Sequence, residues 1–574
     1  MAQDPLTAAV QLAQAGRLDE AAQLCERVLA MQPMHGPALG LAGVIALHRR
    51  DAAGALRRLS LAVTVDPRNP GHQFNLGEAL SANGRFRDAI EAYRRALKLD
   101  ARNARAHAGI AFALQALGDS AGALAAFSRA ADLDRKSPDI QINLGAALQQ
   151  AGRNDEAIAV LRRAVSIAPN AADAQFNLGV ALAAKGDFDA ARSAYEAALR
   201  IAPTHVQALN NLGRVFEERG DREAALHHYT RATEAAPDFA EAWYNRGNML
   251  KELARYREAI AAFDRALHFR PDYPVALKNR GLVCLTLGAF VAGWRDYRAR
   301  ELARADADAP AEPLPADLSG QRILVMREQG VGDELFFLRF APRLAARGAQ
   351  VSAIVDPRLA GMIGRGGLFA GVFKPGEESG TFDRRLFMAD LPFLLGHTRP
   401  EDCPRALPLA PTESSLARMR ARLEAAGPAP WIAVTWRAGV PGNMRSVPPA
   451  LLGRALSGKR GTIVLVQRKP ASDDIAAFAA SVGRKPADLT DVNDDLEDML
   501  ALMALVDFYV SVSNTNVHLR ASVGRPTHVL VPHPPEWRWL AEGRSPWFPD
   551  WPVYRETAAH DWTAALSQLA RDLG

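Results

Sequence analysis

The chain has little cysteine: three residues in 574, Cys25, Cys284 and Cys403, lying far apart and sharing no metal-ligand spacing. That excludes a disulfide scaffold and a thiolate zinc site, and a sparse, odd count suits a reducing compartment. Long apolar runs are missing too, since none reaches the roughly 18 residues of a membrane-spanning helix. The N-terminal MAQDPLTAAV lacks the basic-then-apolar order of a secretory leader, so a cytoplasmic protein with no membrane insertion is expected. Charge of one sign is scarce: the net +5 is not gathered into a basic run, which argues against a nucleic-acid partner. The motifs G-x-x-x-x-G-K-[ST], G-x-S-x-G and H-E-x-x-H are absent as well. With 48% hydrophobic and 23% charged residues the composition is that of ordinary globular proteins. The length exceeds what one core supports, and about three or four domains are expected.

What is present is a period. Gly16, Arg50, Gly84, Gly118, Gly152, Gly186, Gly220, Ala254 and Gly288 recur every 34 residues without insertion or deletion. Five residues after each comes a small residue, Ala21, Ala55, Ala89, Ala123, Ala157, Ala191, Ala225, Ala259 and finally Gly293. Seventeen after most of them comes proline: Pro33, Pro67, Pro169, Pro203, Pro237 and Pro271. A small residue at fixed phase lets two antiparallel helices approach, a glycine closes the turn, and proline ends the second helix. The pattern resembles the tetratricopeptide repeat, nine units over residues 2–307 with the last degenerate, and implies an α-solenoid.

A second ladder lies nine residues before the turn: Asn75, Asn143, Asn177, Asn211, Asn245 and Asn279, interrupted by Leu41 and Gly109. In such arrays this position faces the concave groove. Amides that donate and accept can hold an extended polypeptide without reading its side chains. The alternative is that asparagine is only a consensus residue of the repeat. The ladder and layout resemble the O-linked N-acetylglucosamine transferase family, and the resemblance implies a polypeptide partner for these six residues.

The last repeat closes with Gly293, Trp294, Tyr297 and Arg300, whose aromatic rings are suited to capping the apolar end of a solenoid. Residues 308–320 are rich in proline, alanine and aspartate and read as a linker. From Gln321 short apolar runs (RILVM, VSAIVD, WIAVTW, TIVLVQ, VDFYVSV, THVLVP) alternate with helical stretches, as parallel sheets with helices on both faces require. Two Rossmann-like lobes are expected, at 321–428 and 429–556, followed by a C-terminal helix over 557–574 able to cross back between them. The stretches EQGVGDELFFLRFAPRLAARGA, RSVP, SVSNTNVHLRASVGRP and PPEWRWL resemble the heptosyltransferase-like domain of bacterial fusions between tetratricopeptide repeats and glycosyltransferases, flagellin glycosyltransferases among them. That resemblance implies an α/β module of the GT-B fold.

The loop opening this region, Gly330 to Leu335, looks like a dinucleotide turn but places Asp333 and Glu334 beside the phosphates and Leu335 where a third glycine belongs. Asp356 at the next strand end would be the ribose acid of that rejected alternative. The resemblance instead makes Asp333 the general base of an acceptor lobe, a role compatible with capping its helix, and leaves Glu334 as the fallback. For a nucleotide-sugar the second lobe offers Thr435, Arg437 and Arg445, then Gln467 and Arg468, then Ser513, Asn514, Thr515 and His518, at strand ends where such sheets bind ligands. The family implies a cationic phosphate ligand at Arg445 and its histidine at His518. Bland alternatives are a core histidine and solvated arginines. Ser513 and Asn514 replace the aspartate and threonine of the family pattern, which puts the donor's identity in doubt.

The acidic DVNDDLEDM over Asp491–Met499 suits helix capping better than a cation, and no metal or other cofactor is expected beyond the nucleotide-sugar co-substrate. These readings converge on a protein O-glycosyltransferase transferring sugar to Ser or Thr of a captured polypeptide, flagellin being one candidate. Transfer to a lipid or polysaccharide, or a non-catalytic repeat scaffold with a retired GT-B domain, are the alternatives.

Overall fold

The computed structural model describes residues 4–300, 310–439 and 446–574. Two compact units make up the chain, divided at Pro237/Asp238. The first is all helical: seven hairpins run from helix Pro5–Gln14 to helix Arg222–Ala235. The two ladders of small residues explain the hairpins. Ala21, Ala55, Ala89, Ala157, Ala191 and Ala225 are fully buried. A Cβ on Gly179 would lie 2.6 Å from the Tyr195 ring, so helix approach at that level tolerates no side chain. The turn residue adopts left-handed φ throughout, from 73° at Gly84 to 85° at Gly186, and Arg50 does so too at φ 60°. Proline follows most C-caps of the second helices, as at Gln32 before Pro33 (φ −135°, ψ 81°), while Asp100 and Asp134 take the same conformation before Ala101 and Arg135.

The second unit opens with the last two hairpins, helices Ala240–Glu252, Tyr256–Phe269, Pro274–Thr286 and the short Phe290–Tyr297. They are compact with the sheets, whereas the sequence placed the seam at 307/308. The first sheet holds β1 (Arg322–Met326), β2 (Gln350–Ile354), β3 (Gly371–Phe373) and β4 (Arg384–Phe387) in the order β3-β2-β1-β4. The second holds β5 (Trp431–Thr435), β6 (Thr462–Leu465), β7 (Ala487–Asp488), β8 (Phe508–Val512), β9 (His528–Val531) and β10 (Val553–Arg555), ordered β10-β9-β8-β5-β6-β7. Every strand pair is parallel. The second order is that of a doubly wound sheet whose winding reverses between β5 and β8.

Three expectations need correction. Part of the expected linker is docked: Leu314 and Leu318 are buried, and their N–H groups donate to Leu394 O and Arg347 O, both at 2.7 Å. The C-terminal helix Thr563–Asp572 does not cross between sheets. It packs against helix Pro449–Leu456 and β10, where Leu566, Leu569 and Leu573 join one buried cluster with Leu452, Leu456 and Tyr554. Trp294 and Tyr297 do cover the apolar end of the last repeat, but facing the sheets rather than solvent. Trp294 is 1% exposed and meets Phe337, Trp537 and Trp547 edge-on. Among the described residues no helix is long and apolar enough to cross a membrane.

Candidate functional site

Helix Val331–Phe337 follows β1, with Gly330 as its N-cap and no side-chain capping bond. Asp333 is therefore not the cap. Its carboxylate reaches the loop after β9, where it pairs with the Arg538 guanidinium. Gly332 has a packing reason: a Cβ there would lie 3.2 Å from Thr515 Oγ1 and 3.4 Å from Thr515 Cα. The glycine lets helix Val331–Phe337 press against helix Thr515–Ser522. Glu334 turns inward. Fully buried, it accepts from Arg327 Nε at 2.7 Å and from the Asp356 N–H at 2.8 Å. Burial raises its pKa, opposed by those two donors, and it does not line the cavity described next. Asp356 caps helix Pro357–Arg365.

A cavity of ≈ 510 Å³ lies at the C-terminal edges of the strands. From the sheets it takes Gln329 and Asp333 beyond β1, Ser513 beyond β8, and the loop Pro532–Trp539 beyond β9. The opposite wall is repeat helix: Lys251, Glu252 and Tyr256, then Leu282, Val283, Thr286 and Tyr297. On these helices Asn245, Asn248 and Glu252, and likewise Asn279, Leu282 and Thr286, are spaced three, four or seven residues apart and share one face. The face that carries Asn245 and Asn279 thus runs into the cavity. Asn279 itself is 9% exposed, donating to Asn248 Oδ1 at 2.9 Å, while Asn75, Asn143, Asn177, Asn211 and Asn245 are half-buried. Asn177 Nδ2 also donates to Asp173 O at 2.8 Å.

The partner of Asp333 is deeply placed. Arg538 is 7% exposed, stacks 4.5 Å from the Trp537 ring centre and 4.8 Å from Phe336, and also pairs with Glu536. Burial alone would depress its pKa, but Glu536 and Asp333 more than offset this and the net shift is upward. Arg339 lies 4.5 Å from the same Phe336 ring and donates to Trp547 O at 3.2 Å; burial brings its pKa down to about 9. Burial, with Arg538 and Arg339 nearby, pushes His518 well below its ordinary value. His518 is a buried core residue against Phe336 and Phe548.

Of the residues expected to hold a nucleotide, Ser513 lines the cavity. Most others serve the fold. Thr435 Oγ1 bonds Tyr509 Oη at 3.1 Å inside the sheet. Gln467 Oε1 accepts from the Trp436 and Arg437 N–H groups at 3.1 and 2.9 Å. Arg437 donates to Asp474 and to Lys469 O. Asn514 caps helix Thr515–Ser522, its Nδ2 donating to Ser511 Oγ at 2.9 Å. Arg468 is exposed, and Arg445 lies outside the described residues. Asp495 caps helix Leu496–Leu505, while Asp491 and Asp498 of the acidic run pair with Arg422 and Arg418.

At the first sheet the crevice where the winding reverses, between the ends of β1 and β4, is filled by Arg300 from the last repeat. Its guanidinium forks onto Glu328, with both bonds at 2.7 Å, and reaches Asp390 at 2.7 Å. Sequence reasoning missed Arg538, Glu536 and the repeat-side wall. The crowding of Trp, Arg and Glu in PPEWRWL was the available signal, since such groups are rarely gathered without something to bind.

The tetratricopeptide-repeat family matches residues 6–71, 82–118, 137–204, 170–238 and 210–274. Protein FlbA of Caulobacter vibrioides is 27% identical over 323 residues, 51% of this chain and 53% of that protein. The chain thus spans about half the length of the curated relative it matches. Among solved structures, YrrB, described as a TPR protein with an unusual peptide-binding site, shares 27% identity over 32% of this chain and 95% of its own, with a TM-score of 0.29. MamA shares 28% over 29% of this chain and 97% of its own, at 0.27. The N-terminal region is an array of tetratricopeptide repeats.

Proposed function

We propose that the protein is an O-glycosyltransferase of GT-B type. The repeats capture a polypeptide and the paired parallel sheets move a sugar from a nucleotide donor to its Ser or Thr hydroxyls. One observation carries the reading: the repeat face bearing Asn245 and Asn279 continues through Glu252 and Thr286 into the cavity that Asp333 lines. A chain held along that face is delivered to a carboxylate. In the transfer, the hydroxyl oxygen bonds to the sugar's anomeric carbon as the bond from that carbon to the phosphate oxygen breaks. The diphosphate leaves with the electron pair, and the hydroxyl proton passes to Asp333. General-base assistance of this kind contributes roughly 10²–10⁴-fold. Flagellin, an acceptor suggested by the sequence resemblance, is the first polypeptide to offer.

A scaffold reading is favoured by a different observation: Thr435, Arg437, Gln467 and Asn514 spend their hydrogen bonds inside the fold. Intact-mass measurement of the acceptor after incubation with a panel of nucleotide-sugars separates the two. Addition of one sugar mass by wild type and not by Asp333→Asn supports transfer. No addition, together with no thermal stabilisation by any nucleotide at about 100 times a plausible dissociation constant, where roughly 2.7 kcal/mol is expected, refutes it.

A further inference from the structure

We infer that Arg538 is the anion receptor of this cavity and that Asp333 is the counter-ion holding its place until a phosphoester anion arrives. Among the described residues the cavity has two lining cations other than histidine, Lys251 and Arg538. Lys251 sits on the repeat wall beside Glu252, 3.4 Å away. Arg538 is the deep one, and its guanidinium lies over the Phe336 and Trp537 rings. Its buried Nε finds no hydrogen-bond partner, so the guanidinium still has a donor to give. A planar fork with a spare donor matches phosphate oxygens better than an ammonium does.

The two resident carboxylates are not equivalent. Glu536 belongs to the same loop as Arg538 and its side chain is 7% exposed; Asp333 comes from the other lobe and its side chain is 33% exposed. Asp333 can therefore leave toward water, and Glu536 cannot. An arriving phosphate group takes the place of Asp333 on the Arg538 fork, and the released carboxylate has a lone pair for an acceptor proton. This deepens the transferase reading and rests on it in that last step: the base becomes available only when a phosphorylated donor is bound.

The test titrates inorganic pyrophosphate into the full-length protein by calorimetry. Asp333→Asn removes the competitor and is expected to bind pyrophosphate roughly five- to fiftyfold tighter than wild type, the range of an ordinary coupling between two ligands. Arg538→Lys keeps the charge, loses the fork, and is expected to bind at least about tenfold more weakly. Should Arg538→Lys not fold, Glu536→Gln replaces it and is expected to tighten binding as Asp333→Asn does. Equal or weaker binding by Asp333→Asn, or no binding by either it or wild type, overturns the inference. Pyrophosphate behaving as described in a protein that transfers no sugar keeps this inference and removes the transferase reading. Sugar transfer with no tightening in Asp333→Asn does the reverse.

Discussion

Replacing Arg300 by alanine is expected to unfold the C-terminal unit at lower temperature while leaving the first seven hairpins alone. The side chain supplies three N–H donors to two carboxylates, bidentately to Glu328 and singly to Asp390, and lies 5.1 Å from the Tyr297 ring centre. The three charged side chains are 5%, 1% and 1% exposed. Burial alone would lower the pKa of Arg300, but Glu328 and Asp390 reverse that and hold it above its ordinary value. In Arg300→Ala the Glu328 carboxylate keeps the Ala389 N–H at 2.8 Å, and Asp390 keeps Arg298 at 3.8 Å. Removing one member of a buried pair costs about 3–5 kcal/mol. For a unit as large as Asp238–Gly574 the unfolding entropy is about 0.7 kcal/mol/K, so the transition should fall by about 4–7 °C. Scanning calorimetry of the whole chain is the assay, with the double variant Arg300→Met/Glu328→Gln as control. Because that pair removes charge from both sides, it should recover at least about half of the loss. A single-variant shift below about 1 °C would mean that the triad is wet and that the repeats are not welded to the first sheet through it.

Converting Asn177, Asn211 and Asn245 together to alanine should leave the melting temperature nearly unchanged but weaken polypeptide binding by about a hundredfold, at roughly 1 kcal/mol for each lost hydrogen bond; fluorescence anisotropy with an unchanged affinity would rule out the ladder as a grip. Ala254 occupies a left-handed turn at φ 55° where most repeats have glycine, so Ala254→Gly should stabilise the C-terminal unit by about 0.5–1 kcal/mol, and a lower melting temperature would contradict the strain argument. His397 is 2% exposed and burial, with Arg343 nearby, lowers its pKa to about 4. Above about pH 6.5 it is neutral in both folded and unfolded chains. As pH falls from 6.5 to 4 the unfolded chain takes a proton that the folded one refuses, removing up to about 3 kcal/mol. Urea unfolding across that window should show a shallower slope in His397→Phe, and an unaltered slope would assign the acid sensitivity elsewhere.

The helical hairpins were legible in the sequence because their rules are local. A 34-residue period, a buried alanine, a turn residue with left-handed φ and a terminating proline each act within a few residues, and all reappear in the structure. The apolar runs from RILVM to THVLVP are likewise strands, since a strand buried on both faces writes itself as a continuous run. Which polar residues meet was not legible. Thr435, Gln467 and Asn514 stand at strand ends, where ligands bind in such sheets. For Thr435 and Gln467, whether the side chain faces a ligand or the fold depends on neighbours 30 or more residues away. Asp333 and Arg538 are 205 residues apart, and Arg300 and Asp390 are 90 apart; no spacing in the chain foretells either pair. The sequence by itself determined the repeats and the parallel strands. Only the tertiary structure decided that Gly332 serves helix packing and that the repeat face and Asp333 share one cavity. The reason is that charge pairing and close approach are set by distance through space, whereas periodicity and turn chemistry are set by distance along the chain.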